Sequence, residues 1–577
     1  MTRLQDVALG NTPADLVIQN ASVLLPETGD QHDRAIAIVG DRIAALPADS
    51  GSVVGPDTTV VDATGQVAVP GFIDAHTHIE AQHAFEYAYP SVLEGGTTSV
   101  VTEVTGMGPM YGAEGVSELL SATDGLPVSV FATLTPQPLV NTFSPAWADD
   151  AEKDALTALL SHPSVVGVGE VDWIHVVGRD PPLFDLYERA REAGKPISGH
   201  GAGCKGTNLQ AFASVIDNDH EAISGDEVIE RLENGIHVIG RSGTIRDDTA
   251  AIADAYQEVG AADLSLSTDS LWPDDLQAGT CMDRVVRRAI EAGVSPEDAV
   301  RMATLNPARH FGFRDRGTLS PGARADVVLL SDLESVAVET VISGGEFVVE
   351  NGDATVSPRP HDYPAHFYDS VGLPDSLDLS VPATVTRGGR VRAIEYVTGL
   401  FSRMATVEPA EAEGTLRAAP ERDVLKVVAI DRHPDSDHEA FVGFLTGFGL
   451  GSGAVATTTV WEAGMTVAVG ATDEAIQQAI AHVAKIGGGW AVVDEGEIIA
   501  EHRCRVAGVV ADVPIEEAAA GVRAVREALW ERGVEADQPM LAVATLTFLG
   551  VPTLKLTPHG YADVLAQELV GLTPDAQ

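Results

Sequence analysis

A short apolar run, Pro70-Gly-Phe-Ile-Asp74-Ala-His76-Thr-His78-Ile-Glu80, ends in two histidines one residue apart. Along a strand, side chains at i and i+2 point to the same face, so His76 and His78 can offer two imidazoles to one metal ion. The apolar residues before them read as a buried strand that opens only at its C-terminal end. Parallel β/α barrels deliver their functional groups in this way, and the chain that follows has the matching repeat. Short apolar runs at 97–101, 128–133, 165–171, 196–200, 235–239 and 264–267 alternate with helical segments. Ser295-Pro296-Glu297-Asp298 carries a cap, a proline at the first helical position and first-turn acids, in the order of a helix start. A barrel of about 250 residues fits 67–313.

Ligand-type residues recur at the ends of the later runs. Glu170 closes Val165-Val-Gly-Val-Gly-Glu170, His200 closes Pro196-Ile-Ser-Gly-His200, His220 precedes Glu221, and Asp269 follows Leu264-Ser-Leu-Ser-Thr268. Singly, each reads equally well as a capping carboxylate, a hydrogen-bonded core histidine or a loop residue. Their ordered recurrence on successive strands points to one site. Four histidines and two carboxylates suffice for two divalent ions about 3.5–4 Å apart with Glu170 bridging. Imidazole and carboxylate donors suit Mn²⁺, Fe²⁺ or Zn²⁺.

At 577 residues the chain has room for three or four folding units. Its 45% hydrophobic and 21% charged residues, with mean hydropathy +0.07, exclude disordered, collagen-like and coiled-coil classes. Residues 15–46 read as short alternating strands with turns at 27–30 and at Gly40-Asp41, a texture that returns at 322–330 and 340–350. Neither piece alone makes a stable sheet. The expectation is a composite β domain from 1–66 plus 314–356 that brackets the barrel, then a linker over 357–390. From 391 to 577 a separate α/β unit is expected. Ala475, Ile476, Ala479, Ile480 and Val483 keep helical spacing before Gly487-Gly-Gly489, strands follow at 490–493 and 497–501, and a second helix starts at Pro514. The fold class is therefore α/β: a (β/α)8 TIM-like barrel, a small flanking β domain and a C-terminal α/β domain.

The balance of 36 Lys+Arg against 85 Asp+Glu gives a net charge of −49, which repels nucleic-acid phosphates and anionic membranes. A small-molecule partner is expected instead. Lysine occurs only at 153, 195, 205, 426, 485 and 555, a pattern that suggests halophilic adaptation. At molar salt the Debye length shrinks to about 3 Å, so a heavily acidic surface repels itself little. Cys204, Cys281 and Cys504 form no disulfide framework, and no signal peptide opens the chain, so a soluble cytoplasmic protein is expected. A homo-oligomer stays open.

At the residues quoted above the chain resembles the amidohydrolase superfamily, and within it the adenine deaminases. The wider resemblance rests on 70–80, Gly169-Glu170, Gly199-His200, His220-Glu221, Thr268-Asp269 and Asn306-Pro-Ala-Arg-His-Phe-Gly312. The narrower one rests on Glu170, where many relatives carry a carboxylated lysine, on Gly203-Cys-Lys-Gly-Thr-Asn-Leu-Gln210, and on the C-terminal segments Val428-Ala-Ile-Asp-Arg-His433, Gly443-Phe-Leu-Thr-Gly-Phe-Gly-Leu450, Ile486-Gly-Gly-Gly-Trp-Ala-Val-Val493 and Leu554-Lys-Leu-Thr557. Together they span most of the chain. The resemblance implies hydrolytic deamination of adenine to hypoxanthine and ammonia by a metal-activated hydroxide, a purine-salvage reaction. It implies two divalent ions per chain, Mn²⁺ ahead of Fe²⁺ or Zn²⁺, on His76, His78, Glu170, His200, His220 and Asp269. Asp269 would be the proton shuttle. Glu221 would hold or protonate a ring nitrogen, or else orient His220, and Asn306 and Arg309 would be structural.

The chain also departs from that family. Thr102-Glu-Val-Thr105 stands where adenine deaminases carry Asp-Pro-His-Glu, Arg241-Ser-Gly-Thr244 where they carry Arg-Glu-Gly-Ser, and Ser270 where they carry a second aspartate. Val460-Trp-Glu-Ala-Gly-Met465 replaces a His-Asp-x-His-Asn run. These changes leave another cyclic amidine or cyclic amide as the alternative substrate. A noncatalytic metal-binding or scaffold member is the alternative of another class, and clustered buried charge with no ion to neutralise it argues against that.

Overall fold

Eight parallel strands carry the site: β1 (Phe72–Thr77), β2 (Thr97–Glu103), β3 (Ser129–Leu134), β4 (Val165–Asp172), β5 (Ile197–His200), β6 (Asn218–Asp219), β7 (His237–Arg241) and β8 (Leu264–Ser267). They come from a computed structural model that describes residues 2–136, 150–179, 181–374, 376–434, 436–461, 464–551 and 553–574. Each strand pairs with the next in sequence order. A parallel bridge between Thr77 and Asp269 brings the end of β8 back to β1, which nearly closes the ring. Every residue of β1 and β2 is buried. Helices cover the outside and side chains fill the inside, so these strands need continuous apolar runs rather than alternation. β6 escapes sequence reading because it is two polar residues long and has no apolar run to mark it.

The flanking nine-stranded sheet draws on both sides of the barrel. Strands at Leu16–Leu25, Asp30–Val39, Arg42–Ala45, Thr59–Asp62 and Val67–Pro70 precede it, and Val327–Leu330, Val338–Ser343, Glu346–Glu350 and Asp353–Ala354 follow it. The join is antiparallel, with Val327 opposite Pro70 and Leu330 opposite Val67. Val67–Pro70 runs almost directly into β1, so this sheet anchors the start of the strand that carries His76.

The Pro-rich stretch after Ser357 contains short 3₁₀ turns at Ala365–Tyr368 and Ala383–Val385. It is nonetheless packed rather than loose. Tyr363 and Phe367 are buried in the barrel's apolar core, and the Tyr363 hydroxyl donates to Glu86 Oε1 at 2.9 Å.

Beyond it lies a second eight-stranded sheet, mostly antiparallel, with helices Asp473–Lys485 and Ile515–Glu531. The first helix is capped by Thr472, whose hydroxyl accepts from the Ala475 amide, and it buries Ile476, Ala479, Ile480 and Val483. Where this unit meets the barrel mouth, Trp490 Nε1 donates to Gln82 Oε1 at 2.9 Å and His502 Nε2 donates to the Gln82 carbonyl at 3.0 Å. Phe548 meets the His200 ring edge-on at 5.1 Å. The C-terminal unit therefore roofs the strand ends. Among the described residues no helix is long and apolar enough to cross a membrane.

Candidate active site

The barrel gathers the expected residues at one mouth. His76 is on β1 and His78 one residue beyond it. Glu170 is on β4, His200 ends β5, His220 follows β6, and Asp269 lies two residues past β8. All six are buried. Glu170 Oε2 lies 3.2 Å from His200 Nδ1, 3.2 Å from His220 Nε2 and 4.0 Å from His76 Nε2. Asp269 Oδ1 lies 3.4 Å from His76 Nε2 and 3.5 Å from His78 Nε2. Their donor atoms form overlapping groups: His76, His78 and Asp269; His76, Glu170 and His220; and His200, His220 and Glu221. One oxygen of Glu170 thus stands between His76 on one side and His200 and His220 on the other.

Backbone geometry aims these groups. Thr77, between the two histidines, faces the other way, and its hydroxyl pairs with that of Thr268 at 3.0 Å. Asp74 accepts from the Thr268 amide at 2.9 Å, and the Asp269 amide donates to the His76 carbonyl at 3.0 Å. These bonds fix β1 against the turn after β8. Asp269 has φ +61°, in the left-handed region that aspartate tolerates better than most residues. Gly243 makes the neighbouring loop possible, because a Cβ there would sit 2.0 Å from the Thr268 carbonyl oxygen and 2.5 Å from that of Ser270.

The electrostatics favour positive charge. Burial alone would depress His76, but Asp269 and Glu103 push its pKa up to about 10. Burial opposes protonation of His200 too, and Glu170 and Glu221 raise it to about 10. Against its own burial, Glu170 is held well below the carboxylate range by His200 and His220, and Asp269 by Arg241, His76 and His78. His76 Nε2, His200 Nε2 and His220 Nδ1 are buried without a hydrogen-bond partner among the described residues. Buried polar atoms seldom stay unpaired. A nitrogen-and-oxygen donor set with no thiolate, in a field that pulls in cations, fits a divalent first-row metal.

Two further residues join this cluster, neither of them among the expected site residues. Glu103 ends β2 and lies 3.5 Å from His76 Nδ1, while Thr133 of β3 donates to it. Arg241 ends β7, and its Nη1 contacts Glu221 and, at 3.2 Å, Asp269 Oδ2. Both sit at strand ends, inside the segments Thr102-Glu-Val-Thr105 and Arg241-Ser-Gly-Thr244 that are compared with the family pattern above. Glu221 Oε1 lies 3.7 Å from His200 and 3.5 Å from His220, on the side of the cluster toward Arg241. Asn306 stands apart, donating to the carbonyls of Ala261 and Leu264 at 2.8 and 2.7 Å.

The residues that depart from the family pattern also gather here. Thr105 Oγ1 lies 3.0 Å from His78 Nδ1, and Ser242 accepts from Arg288 at 2.7 Å. Thr105, Ser270, Val460 and Trp461 line a small cleft beside His78, under the C-terminal roof. Glu462 and Ala463, inside the 460–465 run, lie outside the described residues.

Comparison with known proteins matches residues 67–348 to the amidohydrolase family and residues 400–568 to the adenine deaminase C-terminal domain. The adenine deaminase of Desulfatibacillum aliphaticivorans is 31% identical, over 98% of this chain and 98% of its own length. That of Moorella thermoacetica is 32% identical, over 98% and 97%. Among solved structures, the β-aspartyl dipeptidase of Fervidobacterium islandicum aligns with TM-score 0.46 and 18% identity, over 59% of this chain and 97% of that one. The N-isopropylammelide isopropylaminohydrolase of Burkholderia multivorans aligns with TM-score 0.45 and 21% identity, over 59% and 99%.

Proposed function

Because this chain belongs to the adenine deaminase family of amidohydrolases, we propose that it deaminates adenine hydrolytically, yielding hypoxanthine and ammonia. The observation that carries this is the convergence of His76, His78, Glu170, His200, His220 and Asp269 around shared carboxylate oxygens at one barrel mouth. Two divalent ions, Mn²⁺ first among the choices, would be held by these six residues with Glu170 between them. When bound, such ions lower the pKa of water and polarise the carbon under attack.

The chain's own groups do the rest. In adenine the bond from the ring carbon to the exocyclic amine breaks and a carbon–oxygen bond forms. Asp269 takes the proton of the attacking water in this reading and passes it to the departing nitrogen, which leaves as ammonia. Arg241 grips Asp269 Oδ2, so Oδ1 stays turned toward His76 and His78. Glu221 accepts from a ring N–H on the β6 side, and Arg241 keeps it ionised, burial notwithstanding. The C-terminal roof excludes bulk water, which strengthens each of these contacts.

The test is ammonia release by metal-loaded protein from adenine and from a panel of amino-heterocycles and cyclic amides. Adenine turnover that disappears on chelation and returns with Mn²⁺ is expected. Metal-replete protein that releases no ammonia from adenine but opens another cyclic substrate overturns the assignment.

A further inference from the structure

The cleft beside His78 contains several polar side chains, and nearly all have partners. Glu80 accepts from the amides of Gly106 and Met107 at 3.0 Å each. Gln82 Oε1 accepts from Trp490, Thr105 pairs with His78, and the Thr459 hydroxyl pairs with that of Thr457 at 2.9 Å. Ser270 differs from them. It is 1% exposed, it lines the cleft, and its Oγ has no hydrogen-bond partner among the described residues. Leaving a buried hydroxyl unpaired forfeits the hydrogen bonds it made to water.

The position of Ser270 is set by its surroundings. Its amide donates to the Thr268 carbonyl at 2.7 Å, and its carbonyl accepts from the Thr244 amide at 2.9 Å. Thr244 Oγ1 in turn accepts from the Trp272 amide at 2.9 Å. The hydroxyl is therefore held in place next to Asp269 while its own hydrogen-bonding capacity is unused. Its cleft neighbours Trp272 and Trp461 are flat and apolar, suited to the faces of a planar ring.

We propose that Ser270 Oγ is the edge anchor that sets ring selectivity in this site, and that it admits amino-heterocycles bearing a ring carbonyl. This rests on the deaminase reading above. A hydroxyl both donates and accepts, whereas a carboxylate at neutral pH only accepts. A carboxylate would hold ring N–H groups and repel a carbonyl oxygen. Ser270 instead pairs with either, so a substrate with an oxo group on the edge away from the reacting carbon completes the hydroxyl's bonding and is not turned away. A site whose polar groups match a substrate discriminates steeply against one that leaves them unpaired.

The experiment compares wild-type holoenzyme with Ser270→Asp and Ser270→Ala, each checked for metal content. The probes are adenine and two oxo-bearing amino-heterocycles, cytosine and guanine. Wild type should process at least one oxo-bearing probe within about tenfold of adenine in kcat/KM. Ser270→Asp should lower that ratio by at least about tenfold, and Ser270→Ala should raise KM about three- to tenfold with kcat little changed. Calorimetric binding of hypoxanthine and of uracil, which has a second carbonyl, gives a readout independent of turnover. If wild type releases no ammonia but uracil binding still falls relative to hypoxanthine in Ser270→Asp, the deaminase reading fails and the anchor stands. Ratios unchanged in Ser270→Asp with metal retained, in both turnover and binding, overturn the anchor.

Discussion

Replacing Arg241 by methionine separates the fold's need for positive charge from the site's attraction for metal. The Arg241 side chain is enclosed, with 1% of the residue exposed. Its guanidinium touches Glu221, lies 3.2 Å from Asp269 Oδ2 and lies 2.8 Å from Asp248 Oδ2. With an effective dielectric of about 20, attractions at those two distances are worth roughly 5 and 6 kcal/mol. Burying the guanidinium offsets most of that gain. Removing one partner from such a cluster costs about 3–5 kcal/mol, because the carboxylates left behind stay buried and uncompensated. Methionine fills similar space without charge, so the metal-free variant should lose stability on that scale. The released carboxylates should also hold an added divalent cation more tightly. Denaturant midpoints followed by tryptophan fluorescence, first in chelator and then with Mn²⁺, read both effects. The variant should have the lower midpoint in chelator and the larger gain on adding metal. Equal midpoints in chelator, or a metal-induced gain no larger than wild type's, would refute the reasoning.

Asp269→Asn keeps the shape of the side chain but cannot carry the proton. It should lose at least the ~10²–10⁴-fold ascribed to a general acid–base group; a loss below about tenfold with metal retained assigns proton transfer elsewhere, to Glu221 first. His502 gives a pH signature from a group outside the proposed ligand set. Burial lowers its pKa to about 4 from the ordinary 6.5, so between those values the unfolded chain binds more protons than the native one, and stability falls as pH drops through that window. His502→Gln should therefore lose up to about 3 kcal/mol less than wild type between pH 7 and pH 4, and parallel pH–stability curves would contradict this. If the net charge of −49 is a high-salt adaptation, melting temperature should rise from about 10 mM to about 2 M KCl as the screening length falls from about 30 Å to a few Å. Identical melting at both salts leaves the acidic composition without that role.

Much of the barrel was legible in the chain because its signals are local. The i, i+2 spacing of His76 and His78 needs only strand geometry, and the apolar runs at 97–101, 165–171 and 264–267 each overlap an observed strand. Glu170, His200 and Asp269 could be picked out because each follows or closes such a run, and His220 because Glu221 adjoins it. β6 could not, since two polar residues carry no periodicity. Its position follows from the neighbours that pair with it, Ser198 and Gly199 on one side and His237 and Val238 on the other.

Tertiary structure alone decided what surrounds those ligands. Arg241 and Glu103 look like ordinary strand-end charges until the ring closes and places them against Asp269 and His76. Gln82 meets Trp490 across more than four hundred residues of chain, and Phe548 of the C-terminal unit reaches His200 of the barrel. The open hydroxyl of Ser270 is likewise a property of position, since a serine's bonding depends on which groups the fold brings within 3.5 Å. Strand periodicity and turn chemistry act between near neighbours in sequence and can be read there. Electrostatic compensation and hydrogen-bond satisfaction depend on distances in space, and those exist only once strands far apart in the chain have packed side by side.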